Sequence, residues 1–300
     1  MAIETIGLRK VYGRKVAVEG ISLTVTAGEV FGFLGPNGAG KSTMVKMLTG
    51  LVYPTAGEAR LFGRPIGDLA IKRRIGFLPE HFRFPDWLTA AELLDFHGKL
   101  AKMPEAERRR RAHETLRLVG LSDRANDTLR TFSKGMLQRI GLAQALLADP
   151  DLIFLDEPTS ALDPLGRREV RDIIRCLKQA GKTVFLNSHL LSEIELVCDR
   201  VVIIDRGRIV REGDLATLLD RHELEVRVSE ASPALLQELS TRYEVLSHRE
   251  GLLLLNIPGP DEIPQIAEMI IKAGARLYGL SSRKRSLEDL FAEVVEGGSD

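Results

Sequence analysis

Glycines at positions 35, 38 and 40, followed by Lys41, Ser42 and Thr43, form the segment GPNGAGKST. The spacing fits G-x-x-x-x-G-K-[ST] and calls for phosphate chemistry. The glycines let the backbone curl so that successive N–H groups point at phosphate oxygens. The segment follows an apolar run and opens a helical pattern, so a positive helix N-terminus adds to the cradle. Within the loop of Gly35, Pro36, Asn37, Gly38, Ala39 and Gly40, the backbone would wrap a nucleotide's phosphates. Lys41 would bridge the β- and γ-phosphates as a point charge, Ser42 would ligate Mg²⁺, and Thr43 would support the α-phosphate.

The complement is LIFLDEP, residues 152–158. A buried strand that ends in two carboxylates places them at the C-terminal edge of a sheet, where open α/β sheets bind ligands. Asp156 would hold Mg²⁺ through water. Glu157 would orient the attacking water as general base.

These residues need elements to position them. GEVFGFL, DLIFLDEP, KTVFLNSH and DRVVIID are short apolar runs separated by helical patterns, which indicates a parallel sheet in an α/β domain. Residues 1–30 alternate like antiparallel strands. Residues 86–145 read as mostly helix, with Leu116, Val119 and Leu121 on one side and the run Arg108 to Arg111 as a solvated basic face, a phosphate-binding role being the alternative. After residue 220 the pattern changes to β-α-β-β-α-β, the order of a small ferredoxin-like module. A last helix follows with Ser286 as its N-cap.

With 300 residues, the chain has room for one large domain and a smaller one. Lys+Arg and Asp+Glu both number 42, so the chain has no overall bias toward polyanions. No apolar run approaches the roughly 18–20 residues that span a bilayer. The opening MAIETIGLRK lacks the apolar core of a signal peptide, which points to the cytoplasm. Cys176 and Cys198 have no Cys-x-x-Cys spacing and read as small buried residues.

Taken together, GPNGAGKST and LIFLDEPTSALD resemble the phosphate-binding loop, metal-binding strand and D-loop of the ATP-binding cassette (ABC) family. The resemblance covers residues 1 to about 220. It implies a P-loop NTPase cassette over 1–220: a mostly parallel core sheet, an N-terminal antiparallel β-subdomain and a helical subdomain over about 86–145. Residues 221–300 would be the accessory α+β module.

TFSKGMLQRI falls where that family has its L-S-G-G-Q signature. By resemblance, Ser133, Lys134 and Gly135 would meet the γ-phosphate of ATP bound to another subunit, at an uncapped helix N-terminus. Phe132, Lys134 and Met136 depart from the pattern. Lys134 would add charge near phosphate or face solvent. The resemblance also implies that Tyr12, ahead of the first β-region, stacks on adenine, with a core tyrosine as the plain alternative. His189 would be a switch histidine contacting the γ-phosphate. Ser160 and Asp163 would be D-loop residues touching the opposite subunit. Glu80 stands where the family has a Gln and would still serve Mg²⁺. Phe82, Phe84 and Trp87 would either receive a membrane subunit's coupling helix or pin the helical subdomain to the core.

The resemblance implies an ATPase, with ATP and Mg²⁺, that powers export through a separate membrane permease. Two cassettes, a homodimer by preference with a heterodimer left open, would bind ATP between them, and the protein would lie on the inner face of the cell membrane through that permease. Nucleic acid is not an expected partner. The alternative function is a soluble ABC ATPase acting on nucleic acid or ribosomes. The Glu80, Ser-Lys-Gly-Met and C-terminal features together resemble the ABC-2-type exporters of drugs, antibiotics, polysaccharides or lipids. An uncovered strand edge at GLLLLNI would suit pairing of two C-terminal modules.

Overall fold

The computed structural model describes residues 1–160, 162–229 and 231–296. The chain separates into two compact units, Met1–Leu215 and Ala216–Gly298.

The first unit opens with β1 (Ile3–Tyr12) and β2 (Lys15–Val25), paired antiparallel. Next, β3 (Val30–Leu34) runs through the glycine loop into α1 (Lys41–Leu48). The short strands β4 (Ala56–Leu61) and β5 (Arg64–Pro65) complete an antiparallel sheet of order β2-β1-β4-β5. One turn of helix, α2 (Leu69–Lys72), leads to β6 (Ile75–Leu78). The helical region holds α3 (Ala90–Leu100), α4 (Glu105–Leu118) and α5 (Lys134–Leu146). Then come β7 (Leu152–Asp156), α6 (Pro164–Gln179), β8 (Thr183–Asn187), α7 (Leu191–Glu195), β9 (Arg200–Asp205) and β10 (Arg208–Asp214). A final turn, α8 (Leu215–Leu218), closes this part of the chain.

The second sheet has the order β10-β9-β3-β8-β7-β6 and is parallel except for its β10 edge. Every residue of β3, β7 and β8 is buried, which is why these strands read as continuous apolar runs rather than alternating ones. Phe185 sits at the centre, its ring 5.7, 5.3 and 5.4 Å from those of Phe31, Phe33 and Phe154. Truncating one such ring costs about 3–5 kcal/mol. This packing makes the strand ends rigid, and the candidate site is built on those ends.

The helical region is pinned by its own caps and by part of its basic run. Thr89 starts α3 with a capping box: Glu92 N donates to Thr89 Oγ1 at 3.2 Å, and Thr89 N donates to Glu92 Oε2 at 2.8 Å. The four arginines are not one solvated face. Arg109 and Arg110 are exposed and pair with Glu105 and Glu114 on their own helix. Arg108, by contrast, reaches Asp95 of α3 at 2.8 Å, and Arg111 donates to the carbonyls of Leu146 and Leu147 at the end of α5. A basic residue on the last carbonyls of a helix satisfies acceptors that the helix leaves open. The sequence pattern could not show which arginines a neighbouring helix would cover.

Around the expected aromatic cluster, Phe82 stacks near Phe84 at 5.0 Å and lies against Gly141 of α5, while Trp87 is largely exposed. Phe82 therefore pins the helical region to the core, and Trp87 does not. Cys198 is partly buried, and desolvation of its thiol pushes it well above the usual range. Cys176 is exposed, against expectation, because it lies on the outer side of α6.

The second unit contains β11 (His222–Val228), α9 (Pro233–Arg242), β12 (Glu244–Arg249), β13 (Leu252–Ile257), α10 (Ile263–Lys272), β14 (Leu277–Lys284) and α11 (Leu287–Glu296). Its antiparallel sheet has the order β12-β13-β11-β14. Leu224, Val226, Leu253, Leu255, Leu239 and Ile270 form its core. Ser286 caps α11, accepting from Asp289 N at 3.2 Å. GLLLLNI is β13, hydrogen-bonded on both sides, so it is not an edge; β12 and β14 are the edges.

Candidate functional site

The C-terminal ends of β3, β7 and β8 and the N-terminus of α1 converge on one cleft of about 660 Å³. Asn37, Gly38, Gly40, Lys41, Ser42 and Thr43 line it from the glycine loop; Tyr12 and Lys15 from the antiparallel sheet; Glu80, Glu157, Asn187 and His189 from the strand ends. Gly35, Pro36 and Ala39 do not line it. Ala39 is buried in the core. Gly35 passes so close to β9 that an added Cβ would meet Ile204 O at 2.3 Å.

The loop geometry has a steric cause. Gly40 has φ 109°, and a Cβ there would lie 2.2 Å from Ala17 O. Both features exclude a side chain. Gly40 is also the N-cap of α1, with no side-chain cap and no acid in the first turn. That leaves open N–H groups and the positive helix end facing the cleft, an anion site by construction.

Lys41 is buried, and its Nζ donates to Gly35 O at 2.7 Å and Pro36 O at 3.2 Å. Burial holds its ammonium below the usual lysine range, against the pull of Glu157, Asp156 and Glu80. Facing it are two buried carboxylates. Asp156 is pushed up by burial, opposed by a hydrogen bond that Asn187 Nδ2 donates to its Oδ1, and pushed further up by Glu80. Glu157 is likewise pushed up by burial and drawn down first by His189 and then by Lys41. His189 Nδ1 lies 2.7 Å from Glu157 Oε2. Where Glu157 is ionised it only accepts, so Nδ1 then carries the proton.

Glu157 itself has φ 54°, a left-handed conformation uncommon for a residue with a side chain. Its N–H donates to Asn187 O at 2.8 Å. Its carbonyl accepts from Ser160 Oγ at 3.1 Å and from Gln138 Nε2 at 3.4 Å. Strain of this kind collects at working sites.

Tyr12 ends β1 rather than preceding it, and it is 47% exposed, which excludes the core-tyrosine alternative. Lys10 Nζ lies 5.0 Å from its ring centroid. Ser133, Lys134 and Gly135 lie outside the cleft. The α5 N-terminus is also capped, not open: Ser133 Oγ accepts from Met136 N at 3.2 Å. Lys134 is exposed. A Cβ on Gly135 would come within 3.3 Å of Leu162. Ser160 is exposed, and Asp163 Oδ1 caps α6 by accepting from Gly166 N at 2.8 Å. Sequence reasoning missed Asn187, Gln138 and Lys15. Only Asn187 carried a signal, an amide at the end of an otherwise apolar strand.

The residues present suit a nucleotide and Mg²⁺. The amide cradle and Lys41 match phosphate. Ser42, Asp156 and Glu80 supply oxygen donors, the type Mg²⁺ prefers. No group of three or more His, Cys, Asp or Glu that could hold a metal occurs among the described residues. An ion here would keep waters and phosphate oxygens in its shell, as Mg²⁺ commonly does.

Comparison with known proteins agrees with this chemistry. The family described as ABC transporter matches residues 18–160. An uncharacterised ABC transporter ATP-binding protein of Synechocystis is 41% identical over 96% of this chain and 83% of its own length.

The chain belongs to the ABC transporter ATP-binding proteins.

As a member of that family it is an ATP-binding and ATP-hydrolysing subunit that works with Mg²⁺. The daunorubicin/doxorubicin resistance ATP-binding protein of Streptomyces peucetius is 37% identical, covering 100% of this chain and 94% of that one. Among solved structures, a dimeric post-hydrolysis state of an ATP-binding cassette bound to ADP and Pi aligns with a TM-score of 0.66. It is 30% identical and covers 71% of this chain and 98% of that one. No helix among the described residues is long and apolar enough to cross a membrane.

Proposed function

We propose that this subunit powers export through a separate membrane permease and that its ATP site is completed by a second copy of the chain. One observation carries the shared site. Lys41, Ser42, Glu157 and His189 line one cleft, with Asp156 buried behind Asn187 at its floor, while Ser133 and Gly135 of the same chain do not reach it. A head-to-tail pair would supply them from the partner, each copy lending the α5 N-terminus to the other's nucleotide.

In this reading the loop amides and Lys41 bind the phosphates, and Tyr12 lies against the base. Ser42 and Asp156 would hold Mg²⁺, with Glu80 beside them, and the ion would supply positive charge against the phosphates. Glu157 accepts the proton of the attacking water, which its raised proton affinity favours. His189 orients that carboxylate through Nδ1 and presents Nε2 toward the γ-phosphate. Ser160 and Asp163 sit at the partner-facing rim. ATP closes the pair through contacts that ADP lacks, a ligand-biased two-state element.

A groove of about 960 Å³ between β6, α2 and the ends of α3 and α5 is the surface we assign to the permease. Leu69, Phe77, Leu100 and Met103 line it. Leu69 and Leu100 are exposed there, and Trp87 is exposed after β6. Docking there would place the subunit on the inner face of the cell membrane. Residues 1–220 act as the cassette and 221–300 as a ferredoxin-like accessory module. The export direction rests on likeness to the drug-resistance relative. The nucleic-acid alternative has no support: net charge is zero, and the relatives named above are transporter subunits or cassettes.

A pull-down tests the assignment. Tagged Glu157→Gln protein, held with ATP and Mg²⁺, would be recovered from detergent-solubilised cells of its source. A polytopic membrane protein in near-stoichiometric amount is the expected result. Recovery of ribosomal proteins or nucleic acid alone would overturn the transport assignment.

A further inference from the structure

Asn187 ends β8, and parallel pairing sets it level with Asp156 at the end of β7. It is 1% exposed. Its amide nitrogen donates to Asp156 Oδ1. Its amide oxygen is buried and meets no donor among the described residues. A carboxylate only accepts, so the nitrogen must face Asp156 and the oxygen must face away.

A buried acceptor without a partner costs folding free energy, and an apolar residue of similar shape would avoid that cost. The neighbouring strand positions are all apolar: Val184, Phe185 and Leu186. The amide is therefore poorly explained by packing. What it does achieve is a fixed carboxylate. With Oδ1 of Asp156 accepting from the amide, the orientation of the carboxylate at the edge of the cleft is set. The main chain at Asn187 also holds Glu157, whose N–H donates to its carbonyl at 2.8 Å.

We propose that Asn187 is a positioning residue of the hydrolytic site, its amide nitrogen fixing the Asp156 carboxylate for the Mg²⁺–ATP that the cleft takes. The proposal rests on the reading of that cleft as the ATP site. Asn187 also lines the cleft, but its amide nitrogen is spent on Asp156. It acts through Asp156, as residues behind a metal ligand commonly do, where their loss costs about 10- to 100-fold in metal affinity or activity.

The test uses two variants of nearly equal shape. Asn187→Val removes the donor, and Asn187→Thr returns a hydroxyl donor; both suit a strand. In the Glu157→Gln background, binding of a fluorescent ATP analogue is titrated with Mg²⁺, so turnover plays no part. Asn187→Val should raise the half-saturating Mg²⁺ concentration about tenfold or more, and Asn187→Thr should recover most of that loss. In the otherwise native chain, Asn187→Val should lower kcat with little change in KM for ATP. Unchanged Mg²⁺ dependence in Asn187→Val, or equal losses in Val and Thr, would overturn the proposal. So would a fall in melting temperature with no shift in Mg²⁺ dependence. A parental protein that binds no ATP would instead overturn the reading of the cleft, and this proposal with it.

Discussion

His189 Nδ1 lies 2.7 Å from Glu157 Oε2, across 32 residues of sequence. The contact joins the loop after β8 to the end of β7. It gives one carboxylate a fixed direction, and it leaves the second ring nitrogen free to meet a γ-phosphate. Glu157→Gln keeps the shape and removes the base. Turnover should fall by about 10²–10⁴-fold while nucleotide binding persists. Steady-state ATPase assays beside binding titrations check this.

Removing the histidine should act differently. His189→Ala leaves Glu157 buried with one counter-interaction fewer, so its proton affinity rises further. The acidic limb of activity, set by the ionisation of Glu157, should move to higher pH, and kcat should fall more than KM changes. A pH–rate profile from pH 5 to 9 reads both effects.

The glycine loop should tolerate no Cβ at its tightest point. Gly40→Ala forces a side chain into φ 109° and against Ala17 O at 2.2 Å. Strain of this kind costs about 1–3 kcal/mol. Thermal melting should report the loss, and ATP affinity should fall with it because the cradle shifts.

His97 gives a pH effect on stability. Burial lowers its proton affinity below the ordinary value of 6.5. The folded chain then binds fewer protons than the unfolded one between its lowered value and 6.5. Stability is complete above that window and declines as pH falls through it. Melting curves from pH 7 to 5 should slope downward, and His97→Gln should flatten part of that slope.

The parts of this fold that are local were legible in the sequence. GPNGAGKST encodes its own geometry through glycine spacing, and the all-buried strands declare themselves by unbroken apolar runs. What strand order and neighbouring helices decide was hidden. Asn187 meets Asp156 only because β8 lies beside β7. GLLLLNI reads as a free edge until β12 and β11 flank it. Arg108 and Arg111 look solvated until α3 and α5 cover them. The α5 start looked open because a serine cap and an uncapped serine share one sequence, and only the Ser133–Met136 contact separates them.

That cap bears on the central claim, since Ser133 and Gly135 are assigned to a nucleotide on another copy. The most direct measurement is the solution mass of Glu157→Gln protein with ATP and Mg²⁺, with ADP, and with the added change Gly135→Asp. A dimer with ATP, a monomer with ADP, and a monomer with ATP once Asp occupies position 135 is the predicted result. A monomer with ATP and Mg²⁺, or an ATP-dependent dimer indifferent to Gly135→Asp, would contradict the shared site.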